Sequence, residues 1–170
     1  MSLDRRSLLG AIPAGFLGDL FRAPVVGKPA PPFTLRTFDG RKFALADLTG
    51  KVVLLNYWAI WCTPCRIELP MFNVYVQTHR HPDLMVFAVD TDDDLPESKL
   101  KQLSAMVAFP LVRSLAGPYG AIHNELPSNY VIDRAGILRY AQGGAFTEDA
   151  LDAMVTPLLA EPAPTRPVST

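Results

Sequence analysis

A chain of 170 residues is the size of one ordinary domain, long enough to bury a hydrophobic core but not two cores of usual size. Apolar residues at 49% and charged residues at 19% exclude a disordered, collagen-like or coiled-coil chain, and a net charge of -1 argues against a basic face for nucleic acid. Two cysteines, Cys62 and Cys65, are too few for a disulfide scaffold and lack the second pair of a four-cysteine zinc site.

The chain opens with Asp4-Arg5-Arg6-Ser7-Leu8-Leu9-Gly10 and stays apolar to Phe21, broken by Pro13 and Asp19. This pattern has the form of a twin-arginine export signal. It falls short of the roughly 20 apolar residues a spanning helix needs. Phe21 and Arg22 precede Ala23, so no small-x-small cleavage site is evident. Residues 1–23 are therefore expected to be an export signal and residues 24–160 a single folded domain. Residues 161–170, rich in proline, are expected to be a disordered tail.

Within the domain, Phe33 to Phe38 and Lys42 to Leu45 alternate apolar and polar residues around Asp39-Gly40, which predicts a β-hairpin. Val52 to Trp58 is a continuous apolar run suited to a strand buried on both faces. A helix is expected from Cys62 to about His79, with Pro64 in its first turn and Pro70 inside it. Leu84 to Asp90 reads as a second buried strand, completing a right-handed βαβ unit and making the sheet partly parallel. Glu97 to Val107 predicts a helix, Asn129–Asp133 and Ile137–Tyr140 a second hairpin. Thr147 is placed to cap a last helix with Leu151, Met154, Val155 and Leu158 on one face.

The chemistry concentrates at Trp61-Cys62-Thr63-Pro64-Cys65. Two cysteines three apart, at the junction of a buried strand and a helix, are within disulfide reach across one turn. The first meets unpaired backbone N–H groups and the positive end of the helix dipole, which lowers a thiol pKa. A thiolate beside a second thiol performs disulfide exchange: Cys62 attacks and Cys65 resolves the mixed disulfide. A metal site would need further ligands, and His79, His81 and His123 stand at no spacing that points to the pair. His79-Arg80-His81 reads as a solvated cluster near a helix end. Asp90 to Asp94 lacks the glycine and the closing glutamate of a calcium loop, and is expected to be a solvated loop capping the next helix.

The stretch from Val53 through Trp61-Cys62-Thr63-Pro64-Cys65-Arg66-Ile67-Glu68-Leu69-Pro70 resembles the TlpA/ResA-like thiol-disulfide oxidoreductases of the thioredoxin superfamily. Gly27 to Lys51 is similar to that group's N-terminal segment, and Leu126 to Gly136 to the segment carrying the superfamily's cis-proline. The resemblance implies an α/β thioredoxin-like fold: a mixed central sheet flanked by helices, with an added N-terminal β-hairpin. It also implies an exported, periplasmic or otherwise extracytoplasmic enzyme, crossing or lying next to the cytoplasmic membrane. Its partners would be protein disulfide substrates and an upstream thiol electron donor, with no nucleic acid, no cofactor and no metal. His123-Asn124-Glu125 lengthens the approach to Pro127, and Leu126 stands where the family often has threonine or valine.

The site expected on these grounds comprises Cys62, Cys65 and Glu68 as catalytic residues, with Trp61, Pro64, Leu126 and Pro127 as substrate surface. Asn56 stands where cytosolic thioredoxins tend to have an aspartate, so Glu68, three residues after Cys65, is the carboxylate left to accept a proton. The plainer alternative for Glu68 is a helix-surface carboxylate. Two other functions compete: a peroxiredoxin-type peroxidase and a non-enzymatic Cu(I)-binding module. The peroxidase expects a threonine three residues before its reactive cysteine, where Ala59 and Cys62 stand instead.

Overall fold

The computed structural model describes residues 22–92 and 95–164. The expected export signal lies almost wholly outside the described residues, as do Asp93, Asp94 and residues 165–170 of the expected tail. Seven strands form one sheet: β1 (Thr34–Thr37), β2 (Lys42–Ala44), β3 (Val52–Trp58), β4 (Leu84–Asp90), β5 (Leu111–Ala116), β6 (Ser128–Ile132) and β7 (Leu138–Gly143). Their order is β2-β1-β5-β4-β3-β6-β7. The pairs β3/β4 and β4/β5 are parallel and the others antiparallel, so the sheet is mixed. Among the described residues three α-helices accompany the sheet: α1 (Thr63–His79), α2 (Glu97–Ser104) and α3 (Glu148–Ala160), with short 3-10 turns at Leu45–Leu48 and Ile122–Asn124.

Strand β3 is buried at every position, as its unbroken apolar run requires. Its side chains alternate between two cores. Val52, Leu54 and Trp58 join Phe72 and Tyr75 of α1, Leu100 of α2 and Leu151, Val155 and Leu158 of α3. Val53, Leu55 and Tyr57 face the other way, among Phe33, Leu35, Phe87, Tyr130 and Ile132. Parity puts Asn56 on the first face, with the helices. In β6 the same rule sends Val131 to the helix face and Tyr130 and Ile132 to the other, so Asn129 also points toward α1.

The expected hairpin forms, with Thr34 opposite Ala44, and joins the sheet edge through β5. Strand β5 itself was not anticipated. Only Leu111 and Val112 are buried in it, while Arg113 and Ser114 are exposed, so it carries no strand-length apolar signal. Gly117 follows it in close contact with the second core: a Cβ there would lie 2.9 Å from the Phe33 Cβ and 3.1 Å from the Pro32 carbonyl oxygen.

Helix α2 stops at Ser104 rather than Val107. The Met106 N–H turns back to the Leu103 carbonyl, and the chain swings round to bury Phe109 and Leu111. The residue before α2 is Pro96, which makes no side-chain cap, and Asp93 and Asp94 of the loop expected to cap this helix lie outside the described residues. Helix α3 starts as expected, with Thr147 Oγ1 accepting from the Ala150 N–H at 3.2 Å. Its far end is fastened to the sheet by Arg134, which donates to the carbonyls of Leu159 and Glu161.

Candidate active site

Strand β3 delivers the chain to Cys62, which has extended backbone and forms the N-cap of α1, with Pro64 in the first turn. Pro64 lacks an N–H, which costs nothing where no intrahelical acceptor exists. The Cys65 N–H points at the Cys62 sulfur at 3.2 Å, so a free helix-terminal donor faces the position where a thiolate would carry its charge. Cys62 and Cys65 are joined in a disulfide with their Cα atoms 5.3 Å apart. Cys65 is fully buried, whereas Cys62 keeps 4% of its surface open.

Around the pair, Trp61 is 69% exposed and Pro64 and Arg66 are also on the surface. Trp58 is a core residue instead. Leu126 is half-buried and packs against the cluster that contains both cysteines. The Leu126–Pro127 peptide bond is cis, and the Pro127 carbonyl accepts from the Gly144 N–H at 2.8 Å. His79 lies at the opposite end of the 17-residue α1 from the cysteines, with its Nδ1 against the Tyr75 carbonyl at 2.9 Å. Among the described residues no three His, Cys, Asp or Glu side chains gather to hold a metal.

Glu68 is not a surface carboxylate. It is only 1% exposed and shares the inward face of α1 with Cys65, Phe72 and Tyr75 at helical spacing. Its Oε2 accepts from Asn56 Nδ2 at 2.7 Å. Its Oε1 accepts from Asn129 Nδ2 at 2.8 Å and from the Phe146 backbone N–H at 2.7 Å. No cation is among these partners, so burial dominates and pushes the Glu68 pKa up to about 7, with the three donors pulling the other way. A carboxyl group that changes charge near neutral pH, one turn behind Cys65, can take a proton from that thiol or return one.

Asn129 was missed in the sequence. The β3/β6 register sets it directly opposite Asn56, and the two are bonded through Asn56 Nδ2 and Asn129 Oδ1 at 2.8 Å. Counting parity back two residues from the apolar Val131 would have located it, two residues after Pro127. The Phe146 N–H carries no such signal, because it arrives from a loop.

The AhpC/TSA family matches residues 26–141. The chain is 33% identical over 126 residues to the thiol-disulfide oxidoreductase ResA of Bacillus thuringiensis, covering 72% of this chain and 71% of that one. The chain belongs to the ResA-like thiol-disulfide oxidoreductases of the AhpC/TSA family. Thioredoxin-like protein YneN of Bacillus subtilis is likewise 33% identical, over 74% of this chain and 76% of its own. A thiol:disulfide interchange protein of the thioredoxin family from Chlorobium tepidum superposes with a TM-score of 0.64 at 25% identity, over 81% of this chain and all of its own. The fold is thus thioredoxin-like, and the ResA-like protein described here is a thiol-disulfide oxidoreductase. No helix among the described residues is long and apolar enough to cross a membrane.

Proposed function

We propose that this oxidoreductase reduces protein disulfides outside the cytoplasm, with Cys62 attacking, Cys65 resolving and Glu68 accepting the Cys65 proton. The observation that carries this reading is one helix presenting a cysteine at its N-cap, a second cysteine buried one turn on, and a buried carboxyl group one turn further. The Cys62 thiolate attacks a substrate sulfur, forming a mixed disulfide and releasing one substrate thiolate, which takes a proton from water. Cys65 then gives its proton to Glu68 and attacks the Cys62 sulfur, releasing the second substrate thiolate. Two electrons pass to the substrate, and the enzyme is left with the Cys62–Cys65 disulfide. An upstream thiol donor restores the dithiol, and the reaction uses no cofactor and no metal.

Trp61 and Pro64 form the substrate surface on the helix side of the sulfur pair, and Leu126 and Pro127 form it on the loop side. The exposure of Trp61 and the packing of Leu126 against the cysteine cluster favour this arrangement. Residues 1–23 serve as the export signal, with Arg5-Arg6 as its recognition feature. Residues 24–160 form the working domain.

Trapping tests the roles. Cys65→Ser is expected to accumulate mixed disulfides through Cys62, while Cys62→Ser captures nothing, because only the first cysteine has the helix N-terminus at its sulfur. Equal capture by both variants would overturn the assignment.

A further inference from the structure

Every group bonded to Glu68 is an N–H donor, and two backbone carbonyl and amide positions decide that this is so. The Gly144 carbonyl accepts from Asn129 Nδ2 at 3.1 Å. Turning that amide over would set Asn129 Oδ1 against both the Gly144 oxygen and Glu68 Oε1, so the carbonyl fixes which way Asn129 faces. Asn129 Oδ1 must then meet an N–H, which fixes Asn56 with its Nδ2 toward Asn129 and toward Glu68 Oε2. The cost of this order is visible. Asn56 Oδ1 is buried without a hydrogen-bond partner, although turning the amide would offer that oxygen to a protonated Glu68.

The two carboxyl oxygens are therefore unequal. Oε1 accepts from both Asn129 Nδ2 and the Phe146 N–H, filling its lone pairs, whereas Oε2 accepts only from Asn56. We infer that Asn129 is a positioning residue which, oriented by the Gly144 carbonyl, holds Glu68 as a carboxylate through itself and Asn56 and leaves Oε2 as the atom that takes the proton. The inference deepens the reading of Glu68 as proton acceptor, and rests on that reading for its effect on disulfide exchange. The other groups facing Glu68 add no cation. Cys62 and Cys65 share its helix, Tyr140 of β7 senses its charge, the Glu125 carboxylate lies against Gly143 beside Gly144, and α3 presents apolar Leu151 and Val155 to the same core.

Removing Asn129 acts twice: Oε1 loses a donor, and the Asn56 amide is freed to turn and accept from a protonated Glu68. Both changes favour the neutral acid. The Glu68 titration midpoint should rise by about one pH unit, the expected result of losing one hydrogen bond to a charged group. The measurement is ¹³C NMR of the Glu68 carboxyl carbon in the full-length oxidised protein, from about pH 5 to about pH 9. It compares the unsubstituted protein with Asn129→Ala and with Asn129→Ser, which guards against a variant that does not fold. Stopped-flow kinetics of mixed-disulfide release supplies the second readout. A raised midpoint with the acid limb of the release rate raised equally upholds the inference. A raised midpoint with an unmoved rate profile upholds Asn129 as the positioning residue and refutes Glu68 as the base. An unmoved midpoint, with thermal stability lowered equally at low and high pH, overturns the inference and reduces Asn129 to a bond between strands.

Discussion

Burial of Glu68 makes the stability of the oxidised enzyme depend on pH in a direction opposite to that of most carboxylates. The folded-state pKa is about 7, against 4.5 for an unhindered glutamate. Between these values the folded chain binds more protons than the unfolded chain, so stability falls as pH rises through the window and is fully retained only below it. At about 1.4 kcal/mol per unit, the loss amounts to about 3 kcal/mol across the window. Asp39, Asp83 and Asp152 shift the other way, each held below the usual carboxylate range by its hydrogen-bonding neighbours, and so lose their contribution only in more acid solution. The perturbation is Glu68→Gln, which cannot titrate. Its amide nitrogen also meets the Asn56 donor, but that penalty is the same at every pH and cancels when the shapes of two profiles are compared. Urea unfolding of both proteins, with the disulfide intact, should show the unsubstituted enzyme losing stability relative to Glu68→Gln as pH rises from 4.5 to about 7. Parallel profiles over that range would refute the reasoning, since they would mean that burial does not raise the Glu68 pKa.

Two further expectations concern the frame around the site and the chain ahead of it. Gly117→Ala should destabilise the fold by about 1–3 kcal/mol in urea unfolding, because the new methyl group meets the Phe33 Cβ at 2.9 Å with the Pro32 carbonyl behind it; a neutral result would mean that β1 can move aside. Residues 1–23 should carry a fused reporter out of the cytoplasm, and Arg5→Lys with Arg6→Lys should stop it. Transport that survives this double change would refute the twin-arginine route.

How far the fold was legible depended on where apolar residues are continuous. Val52 to Trp58 and Leu84 to Asp90 declare themselves because a strand covered on both faces is apolar almost throughout, with Asn56 and the terminal Asp90 the polar exceptions. Strand β5 has only two buried residues, and its place between β1 and β4 is imposed by partners far away in the chain. The same distinction runs through the site. Cys62, Cys65 and Glu68 lie on one helix, so spacing alone puts the latter two on one face. What helix spacing cannot reveal is what lies opposite. Asn56 and Asn129 meet only through the antiparallel β3/β6 register, and a backbone N–H has no residue type to betray it. The surface alternative for Glu68 was open in the sequence for that reason: its burial comes from three segments that are distant from it along the chain.

The disulfide gives the enzyme a form in which the chemistry of Glu68 can be isolated. With Cys62 and Cys65 joined, neither sulfur titrates, and Glu68 is the one acid of the three that can still change charge. On reduction the Cys65 thiol shares the same buried helix face, and ionising both groups would place two negative charges in a space with no cation bonded to the carboxylate. Proton release then belongs to the pair, in two macroscopic steps that cannot be assigned to single residues. The midpoint measured in the oxidised protein is the uncoupled reference. The upward displacement of the second step on reduction, measured from it, is the repulsion between the two groups, and the proposed transfer of one proton from Cys65 to Glu68 requires that displacement to be found.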